Sequence, residues 1–525
     1  MRNLLIHPCL IAAVLSFCTA GASVSAQQLA AQVQTVAADE PVVLRLTVSD
    51  AVKLAAENNL GIEVERYNPQ IQTLGVDQAR GAWTPSISGT VLSNGNTSPN
   101  NSFLSGAVGN STRDRRVAST AQLQQAVPWG ANYSIGWDAA RSTTDSTFSN
   151  FSPQLRTTMS LSYTQQLLRG FRFDNTRQQI ETSLTQRAIA DVQLREALAT
   201  TSRTVRIAYW DLRYAIASLR VQQQSLDLAR ESLRNTRSRI EIGTMPPIEE
   251  VAPQAEVARR EEAVIVAESQ IETAEDTLRT LILKIDDPDF WRIRLDPIEA
   301  IEFRTTSVDV DGAIRNALDR RTDLSQAKKQ LELDDISIRN LKDQTRPELT
   351  ADVDYGLAGL GGTQYTRSGT DLIAERIPVG ERGFGSVMGD LFTNSYPTWT
   401  TQLRLTVPVG RSPQEASLAR ARLEHRQAEV QLKNQQMQIA AQVRLAARQV
   451  TTNLKRVDTT RSARELSERM LDAEQRKLTA GTSENYLVLQ AQRDLAAAQN
   501  DELRAILDYL QSVVDLVTVQ EVPLR

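Results

Sequence analysis

Residues 237–250 read RSRIEIGTMPPIEE, and this stretch closes the longest uninterrupted segment of the chain. Residues 171–242 contain neither glycine nor proline, and then Gly243 and two prolines follow within five positions. A second such segment, 414–480, ends at Gly481. A helix of about 70 residues is about 100 Å long, far longer than an ordinary globular helix. The sequence therefore predicts two very long helices, each followed by a glycine turn that reverses the chain.

The two long segments belong to two halves of similar sequence. One gapless register lays Ala51 over Ala313 and Pro85 over Pro347. A second gapless register lays TVRIAYWDL (204–212) over QVRLAARQV in the other half. We interpret the 525-residue chain as a tandem duplication.

The first 26 residues are typical of a secretory signal peptide, with a basic start, an apolar stretch and small residues before a cut at Gln27. A membrane anchor is the alternative, but the apolar stretch is shorter than the roughly 20 residues that a spanning helix needs. We expect an extended segment over 27–46, a first repeat over 47–306 and a second repeat over 307–525.

Each repeat is predicted to contain a first helix, a β-rich segment, one long helix and a return helix. The first helix (about 62–83) and the return helix of the first repeat together have about 55 residues, so end to end they nearly match the long helix beside them. The predicted strands, long helix and return helix occupy about 86–166, 174–242 and 254–285 in the first repeat, and about 348–409, 414–480 and 483–517 in the second.

The side chains that catalysis and metal binding need are scarce after the leader. Cys9, Cys18 and His7 all lie in the predicted signal peptide, so His425 is the only histidine that remains, and we expect it to be a solvent-exposed helix residue. This argues against thiol chemistry, histidine-based triads and the usual zinc sites. We therefore predict no enzyme activity, no cofactor and no metal. Loss of Arg2 changes the net charge from −4 to −5, which argues against a nucleic-acid partner.

Apolar residues recur every seven positions along both long segments, while the flanking positions are mainly polar or small. Such a repeat predicts a left-handed coiled-coil seam on each helix, beside a broad polar surface. A solvated coiled-coil rod is the simplest interpretation of the heptads alone. The series runs through Leu198, Val205, Leu212, Leu219, Leu226, Leu233 and Ile240, and then Val443, Val450, Val457, Leu471 and Leu478, with Arg464 as its break.

Segments of alternating polarity interrupt the helices at the same place in both halves. Long polar loops and a short turn separate them, as in outer-membrane barrels. Aromatic residues in or beside these segments suit a membrane interface, although they would also fit a soluble sandwich. Two to six strands cannot enclose a water-filled lumen, so closure would need several chains. The candidate interface residues are Trp83, Trp129, Trp137 and Trp399.

The chain resembles the TolC family of outer-membrane efflux proteins over nearly its whole mature length. The resemblance rests on SDAVKLAAENN and DGAIRNALDRRTDL, YTQQLLRGF and LTVPVGRS, and IGTMPPIEEVAPQAEVA and AGTSENYLVLQAQRDLA, in this order in both repeats. It implies an α + β membrane protein, in which tandem-duplicated long α-helical hairpins form an α-barrel. Trimerisation would complete a transmembrane β-barrel at the other end.

The resemblance also implies a passive conduit in the outer membrane of a Gram-negative bacterium, with a long periplasmic portion. A homotrimer would work with a periplasmic adaptor and an inner-membrane pump of the RND, MFS or ABC type, in a tripartite efflux or type I secretion system. A periplasmic coiled-coil adaptor or scaffold is the alternative. The family's adaptors engage the glycine turns, which nominates Gly243, Thr244, Gly481 and Thr482, although a glycine there is also an ordinary helix stop.

Two features depart from the family pattern. The residues of the family's periplasmic gate have no counterparts here, and the nearest candidates are Glu249, Glu250, Glu484 and Gln490, of which the acidic ones could simply be solvated. Family members usually have four strands per subunit, whereas 86–166 alone predicts four, with two more in the second half around a glycine-rich loop of about 40 residues. Either the turn at 128–130 adds a hairpin, which we favour, or it interrupts one long bent pair.

Overall fold

The computed structural model describes residues 43–100, 106, 109–286, 289–299, 308–368, 376–410 and 412–521. The predicted signal peptide and most of the predicted extended segment lie outside these residues. Within the described ranges, no helix is both long enough and apolar enough to cross a membrane.

The first repeat begins with two helices rather than one, because Asn59 both ends the first helix and caps the second. Thr47 caps the first helix through a reciprocal capping box with Asp50. The elements of this half are β1 (Val43–Leu46), α1 (Val48–Asn58), α2 (Leu60–Arg80), β2 (Ser86–Pro99), β3 (Ser111–Val127), β4 (Ala131–Thr144), β5 (Phe151–Gln166), α3 (Asn175–Glu241), α4 (Val251–Ile282) and β6 (Arg294–Pro297).

The second repeat has the same order of helices around a shorter β-rich segment. Its elements are α5 (Val310–Arg320), α6 (Thr322–Gln344), β7 (Glu348–Arg367), β8 (Arg376–Arg382), α7 (Phe384–Phe392), β9 (Pro397–Thr406), α8 (Pro413–Thr479) and α9 (Asn485–Val519). The two long helices, α3 and α8, each have 67 residues and are therefore about 100 Å long.

The shorter helices meet end to end beside the long ones. At the junction of α4 with α2, Asn58 Nδ2 donates to Ile282 O at 3.0 Å and Asn59 Nδ2 donates to Leu281 O at 3.2 Å. In the second repeat, the Glu521 carboxylate beyond α9 instead accepts from the N–H and hydroxyl of Thr322 at the start of α6. Both sets of hydrogen bonds satisfy backbone groups that a helix end leaves without an intrahelical partner.

Residues aligned between the two repeats are buried in equivalent places. Ala51 and Ala55 pack against α3, and their counterparts Ala313 and Ala317 pack against α8. Small side chains allow the short helices to approach the long ones closely. The aligned residues of the long helices are also buried, namely Val205 with Val443 and Leu212 with Val450.

Much of the heptad seam is buried within the protomer. Val205, Leu212, Leu226, Val443, Val450, Val457 and Leu471 are all buried. Arg464, at the break in the seam, lies 2.6 Å from Glu502 of α9. The seam therefore continues through an ion pair where an apolar residue is missing.

Strands β2 to β5 and β7 to β9 form one antiparallel sheet in the order β2-β3-β4-β5-β7, in which β7 then pairs with both β8 and β9. Strands β1 and β6 form a separate parallel pair. The turn at 128–130 separates two strands that pair fully with each other, so the interpretation as one bent pair is wrong. The glycine-rich loop predicted in the second half contains β8 and α7. Gly359 and Gly361 of β7 leave room there for Val387 of α7, because a Cβ at either glycine would collide with it.

Candidate channel wall and helical tips

Two neighbouring rows of residues across the six long strands differ completely in polarity. One row joins Ser86, Gln124, Ser134, Ser162, Asp354 and Thr400. The next row joins Ile87, Leu123, Ile135, Leu161, Tyr355 and Trp399. Because alternate side chains point to opposite faces, the sheet is apolar on one face and polar on the other at these two rows. This division is that of a membrane wall with an aqueous lumen.

The apolar row has no cover within the protomer at the two edges of the sheet. The side chains of Ile87 and Trp399 are 81% and 75% exposed, respectively. Arg113, Arg115 and Arg141 lie on the same face, nearer the long loops, and are also exposed. The apolar face is therefore bounded by basic residues on the side away from the helices.

The four predicted interface tryptophans lie at different heights. Trp83 follows α2, and Trp129 lies in the turn between β3 and β4, so both are at the helix side of the sheet. Trp399 lies near the opposite end, at the start of β9. Trp137 is halfway along β4, where its Nε1–H donates to Thr157 Oγ1 at 3.0 Å. An interface role for these residues stays a prediction.

The two helical tips have the same hydrogen-bonded turn. Gly243 has a φ of 78° and Gly481 a φ of 76°, values that glycine adopts without steric cost. The next N–H, of Thr244 or Thr482, donates at 2.9 Å to the carbonyl five residues before it. Each threonine hydroxyl donates to that same carbonyl. Both tips therefore end in a Schellman motif that the threonine reinforces.

Large apolar side chains surround these turns and are exposed. The sequence-based candidate residues do not include them, although their position beside a predicted tip is a signal that the sequence contains. They are Ile242, Ile248 and Val251 at the first tip, and Tyr486 and Leu487 at the second. Exposed apolar groups clustered at the end of a long hairpin are typical of a protein contact surface.

The four predicted gate residues do not form one cluster of contacts. Glu249, Glu484 and Gln490 are exposed. Glu250 pairs with Arg237 at 2.7 Å, but Arg237 belongs to the same hairpin. None of these contacts joins the hairpin α3–α4 to the hairpin α8–α9.

A different glutamate near the tips joins the two hairpins. Glu256 of α4 lies 2.9 Å from Arg260 and 3.0 Å from Arg493 of α9, and its side chain is only 4% exposed. Charged residues are rarely buried unless they are paired. Sequence spacing indicates the Glu256–Arg260 pair four residues apart on one helix, but it cannot show which residue of a distant helix comes into contact.

Polar pairs also join α3 to α9 over most of their shared length. At the tip, Asn485 Nδ2 donates to Thr236 Oγ1 at 3.1 Å, and both residues are buried. Farther from the tip, Ser218 bonds Asn500, Asp211 bonds Gln511 and Arg203 pairs with Asp515. Within their own hairpin, α8 and α9 meet through apolar clusters as well as through ion pairs such as Arg456–Asp508.

A sequence model of the outer membrane efflux protein family matches residues 51–282 and 313–519, one match in each repeat. The chain belongs to this family. The family prediction is thereby confirmed, and with it the prediction of an outer-membrane efflux channel subunit. The adaptor alternative finds no support.

Solved channels of similar fold come from several bacteria. The CmeC outer membrane channel of Campylobacter jejuni is 13% identical, with 90% of this chain and 85% of that chain covered and a TM-score of 0.62. VceC from Vibrio cholerae is 14% identical (90% and 95% covered, TM-score 0.61). The open state of MtrE from Neisseria gonorrhoeae is 16% identical (90% and 88% covered, TM-score 0.60). No curated protein sequence matches the chain significantly.

The predicted fold class is confirmed by these matches, since the similar structures are outer-membrane channels. At this level of identity they show the shared fold and not the cargo. The family and its structural neighbours are channel proteins rather than enzymes.

Asp211 of α3 and Glu474 of α8 have shifted pKa values. Burial raises the pKa of Asp211, an effect that the nearby Arg504 charge partly offsets. Hydrogen bonds from Lys477 and Ser483 lower the pKa of Glu474 beside the second tip. Glu474 therefore remains ionised while it holds the chain entering α9.

The remaining histidine is not the solvent-exposed residue predicted. The side chain of His425 is 18% exposed, and its Nε2 lies 3.3 Å from Asp335 Oδ1 of α6. The side chain of His425, a residue of α8, therefore packs against α6. Among the described residues, no three His, Cys, Asp or Glu side chains are grouped so that they could hold a metal.

Proposed function

We propose that this chain assembles as a homotrimer into a continuous passive duct through the outer membrane and the periplasm. The observation that carries the proposal is the pair of rows across the sheet, six apolar residues beside six polar ones. A sheet with these two faces separates lipid from water when its edges are closed by further chains. The long hairpins, with their broad polar surfaces, extend the water-filled passage away from the membrane.

The duct performs no energy conversion of its own in this proposal. An inner-membrane pump of the RND, MFS or ABC type supplies the energy, and a periplasmic adaptor joins that pump to the helical tips. Helices of about 100 Å are long enough to carry the passage far into the periplasm. The apolar face with its basic border supports a position of the sheet in the outer membrane, with its helix side toward the periplasm and its long loops outside.

Reconstitution of the purified trimer into planar lipid bilayers tests this function. We expect discrete single-channel conductance steps, and after cell fractionation we expect the mature protein in the outer-membrane fraction. A protein found wholly in the soluble periplasmic fraction, or a trimer without conductance even when its tips are opened by substitution, would contradict the proposal.

The adaptor would dock on the two tips at Gly243, Thr244, Gly481 and Thr482. The support is the shared geometry of the turns and the exposed apolar residues around them. Two hairpins in each of three protomers present six such tips. An adaptor with repeated contacts would therefore meet near-identical surfaces.

Tryptophan at both Thr244 and Thr482 should abolish export while trimers still reach the outer membrane. Each new side chain would project from an exposed turn, where it blocks docking without entering the core. Export is measured as efflux of a dye or secretion of a reporter in cells that contain the matching pump and adaptor. Serine at both positions is the matched control, because it retains the hydroxyl that closes the turn. Normal export by the tryptophan variant would reject the tips as the docking site.

The periplasmic aperture would lie where the hairpins converge, with Glu249, Glu250, Glu484 and Gln490 near it. We further propose that the contact which keeps it closed is the Glu256 ion pair between the hairpins. The support is that this contact is buried and joins α4 to α9, whereas the Glu250 contact stays inside one hairpin. Opening would separate the hairpins along their polar contacts while the apolar interior of the α8–α9 hairpin stays intact.

A further inference from the structure

The sheet ends in two unpaired edges that run in opposite directions. All residues of β9 are exposed, and so are all but one of β2. From edge to edge the long antiparallel strands are β2, β3, β4, β5, β7 and β9, which is an even number. The two edge strands therefore have opposite directions, so that β2 runs away from the helices and β9 runs toward them. The edge of one protomer can therefore pair antiparallel with the edge of the next, as every other long pair in the sheet does.

We infer that β9 of one protomer pairs with β2 of its neighbour and that all six long strands of each protomer enter the wall. Three protomers then form a barrel of 18 strands instead of the 12 that four strands per subunit would give. The inference rests on the proposed trimeric duct but goes beyond it, because a trimer could also close with fewer strands. The short strand β8 adds no position to this count, since it continues the β9 edge of β7 farther from the helices.

The perimeters of the two parts of the molecule support six strands. Six strands about 4.8 Å apart and tilted by about 40° cover about 38 Å of wall. Each protomer also contributes four helical columns, which are α3, α8 and the two end-to-end pairs. At about 9.5 Å between axes, four columns likewise cover about 38 Å. Four strands would cover only about 25 Å by the same estimate.

The register of the new pair follows from the ends of its two strands. The strand β2 begins at Ser86 directly after Pro85, and β9 ends at Thr406 shortly before α8, so both ends lie at the helix side. If these ends are aligned, Ser86 lies opposite Thr406 and Ile87 lies opposite Leu405. Every residue of β9 then lies opposite a residue of the neighbouring β2, and the apolar residues of both strands remain on the same side of the sheet.

This alignment also fixes the geometry of the closed wall. The row that starts at Ile87 reaches Trp399, and Trp399 then faces Ser93 of the neighbour, six residues farther along β2. A shift of about six residues in each of three protomers gives the barrel a total shear of about 18 residues, which equals its strand number. A barrel whose shear equals its strand number has strands tilted by about 36°. That tilt lies within the range that closed barrels adopt. The wall can therefore close at an ordinary tilt, and its diameter is about 1.5 times that of a 12-stranded wall.

Cysteine cross-linking in intact trimers tests the contact, because the mature chain is predicted to contain no cysteine of its own. The variant Ile87→Cys with Leu405→Cys places both thiols on the outward face of the proposed pair. The variant Tyr133→Cys with Leu405→Cys is matched to the competing 12-stranded wall, in which β4 would be the edge that meets β9. A thiol-reactive linker with a reach of about 8 Å covers opposite and diagonal neighbours on adjacent strands.

We expect the first variant to become covalent dimers and trimers on denaturing gels and the second to remain monomeric. The reverse pattern would overturn the strand number in favour of 12. No cross-linking of either variant would overturn closure through these edges. Conductance of the same trimers before cross-linking reports on the duct itself, so a conducting channel without the expected cross-links would reject this inference and leave the proposed function standing.

Discussion

Aspartate at Leu212 should abolish the accumulation of folded trimer. Leu212 has no exposed surface and lies in the main apolar cluster, where α1, α3 and α4 meet the β1–β6 pair. A carboxylate there must lose its hydration or force the helices apart, and either costs several kcal/mol. That cost is a large fraction of the roughly 5–15 kcal/mol that stabilises an ordinary domain. The measurement is the amount of trimer in outer membranes, together with its thermal unfolding.

Two variants of the same chain separate burial from charge. Gln223→Asp introduces the same carboxylate on α3 at an exposed position and should leave the trimer yield nearly unchanged. Leu212→Ala removes the apolar contacts without adding a charge and should cost about 2–5 kcal/mol. Trimer yield and melting temperature of Leu212→Asp equal to those of Gln223→Asp would show that the seam does not form the core between these helices.

The duplication could be predicted from the sequence because each half repeats the same local signals. Ala51 and Ala313 must be small wherever a short helix approaches a long one, and Gly243 and Gly481 must reverse the chain at the end of an uninterrupted helix. These requirements act within a few residues of the chain, so they leave a visible pattern. The structure shows those alanines buried and those glycines in the left-handed conformation.

Contacts between elements far apart in sequence could not be predicted in the same way. Glu256 and Arg493 are 237 positions apart, and both also occur where a solvated helix face would carry such residues. The sequence predicts a glycine-rich loop of about 40 residues in the second half, whereas this part of the chain contains β8 and α7. Gly359 and Gly361 of β7 make room for α7, a role that their sequence position does not show. The sequence predicts a solvent-exposed His425, because nothing near it in sequence indicates that α6 covers it.

The arrangement of polar and apolar contacts indicates which parts of the duct move as units. Within the second hairpin, α8 and α9 are joined by buried apolar clusters, whose separation would expose apolar surface to water. Between the hairpins, α3 and α9 meet through hydrogen bonds and ion pairs that water can replace, and α9 adds Leu507 to the apolar cluster around α3. Separation of the hairpins therefore costs less than separation of the helices inside one of them.

Glutamine at Glu256 should shift the closed aperture toward the open state. The substitution leaves Arg260 and Arg493 without their shared carboxylate, of which Arg260 is largely buried. Loss of one partner from such a contact costs about 1–3 kcal/mol in the closed state. Since about 1.4 kcal/mol corresponds to a factor of ten, the ratio of open to closed channels should rise by about 5-fold to 140-fold. Single-channel recordings of reconstituted trimers measure this ratio directly.

Glu250→Gln is the matched control, because it removes the same charge from an ion pair that joins Arg237 within one hairpin. It should leave the open fraction close to that of the unmodified channel. Arg493→Gln should open the channel as Glu256→Gln does, and the double variant should add little to either single change, since both remove one contact. If the two effects add in full, or if Glu250→Gln opens the channel equally, the ion pair between α4 and α9 is not what holds the hairpins together.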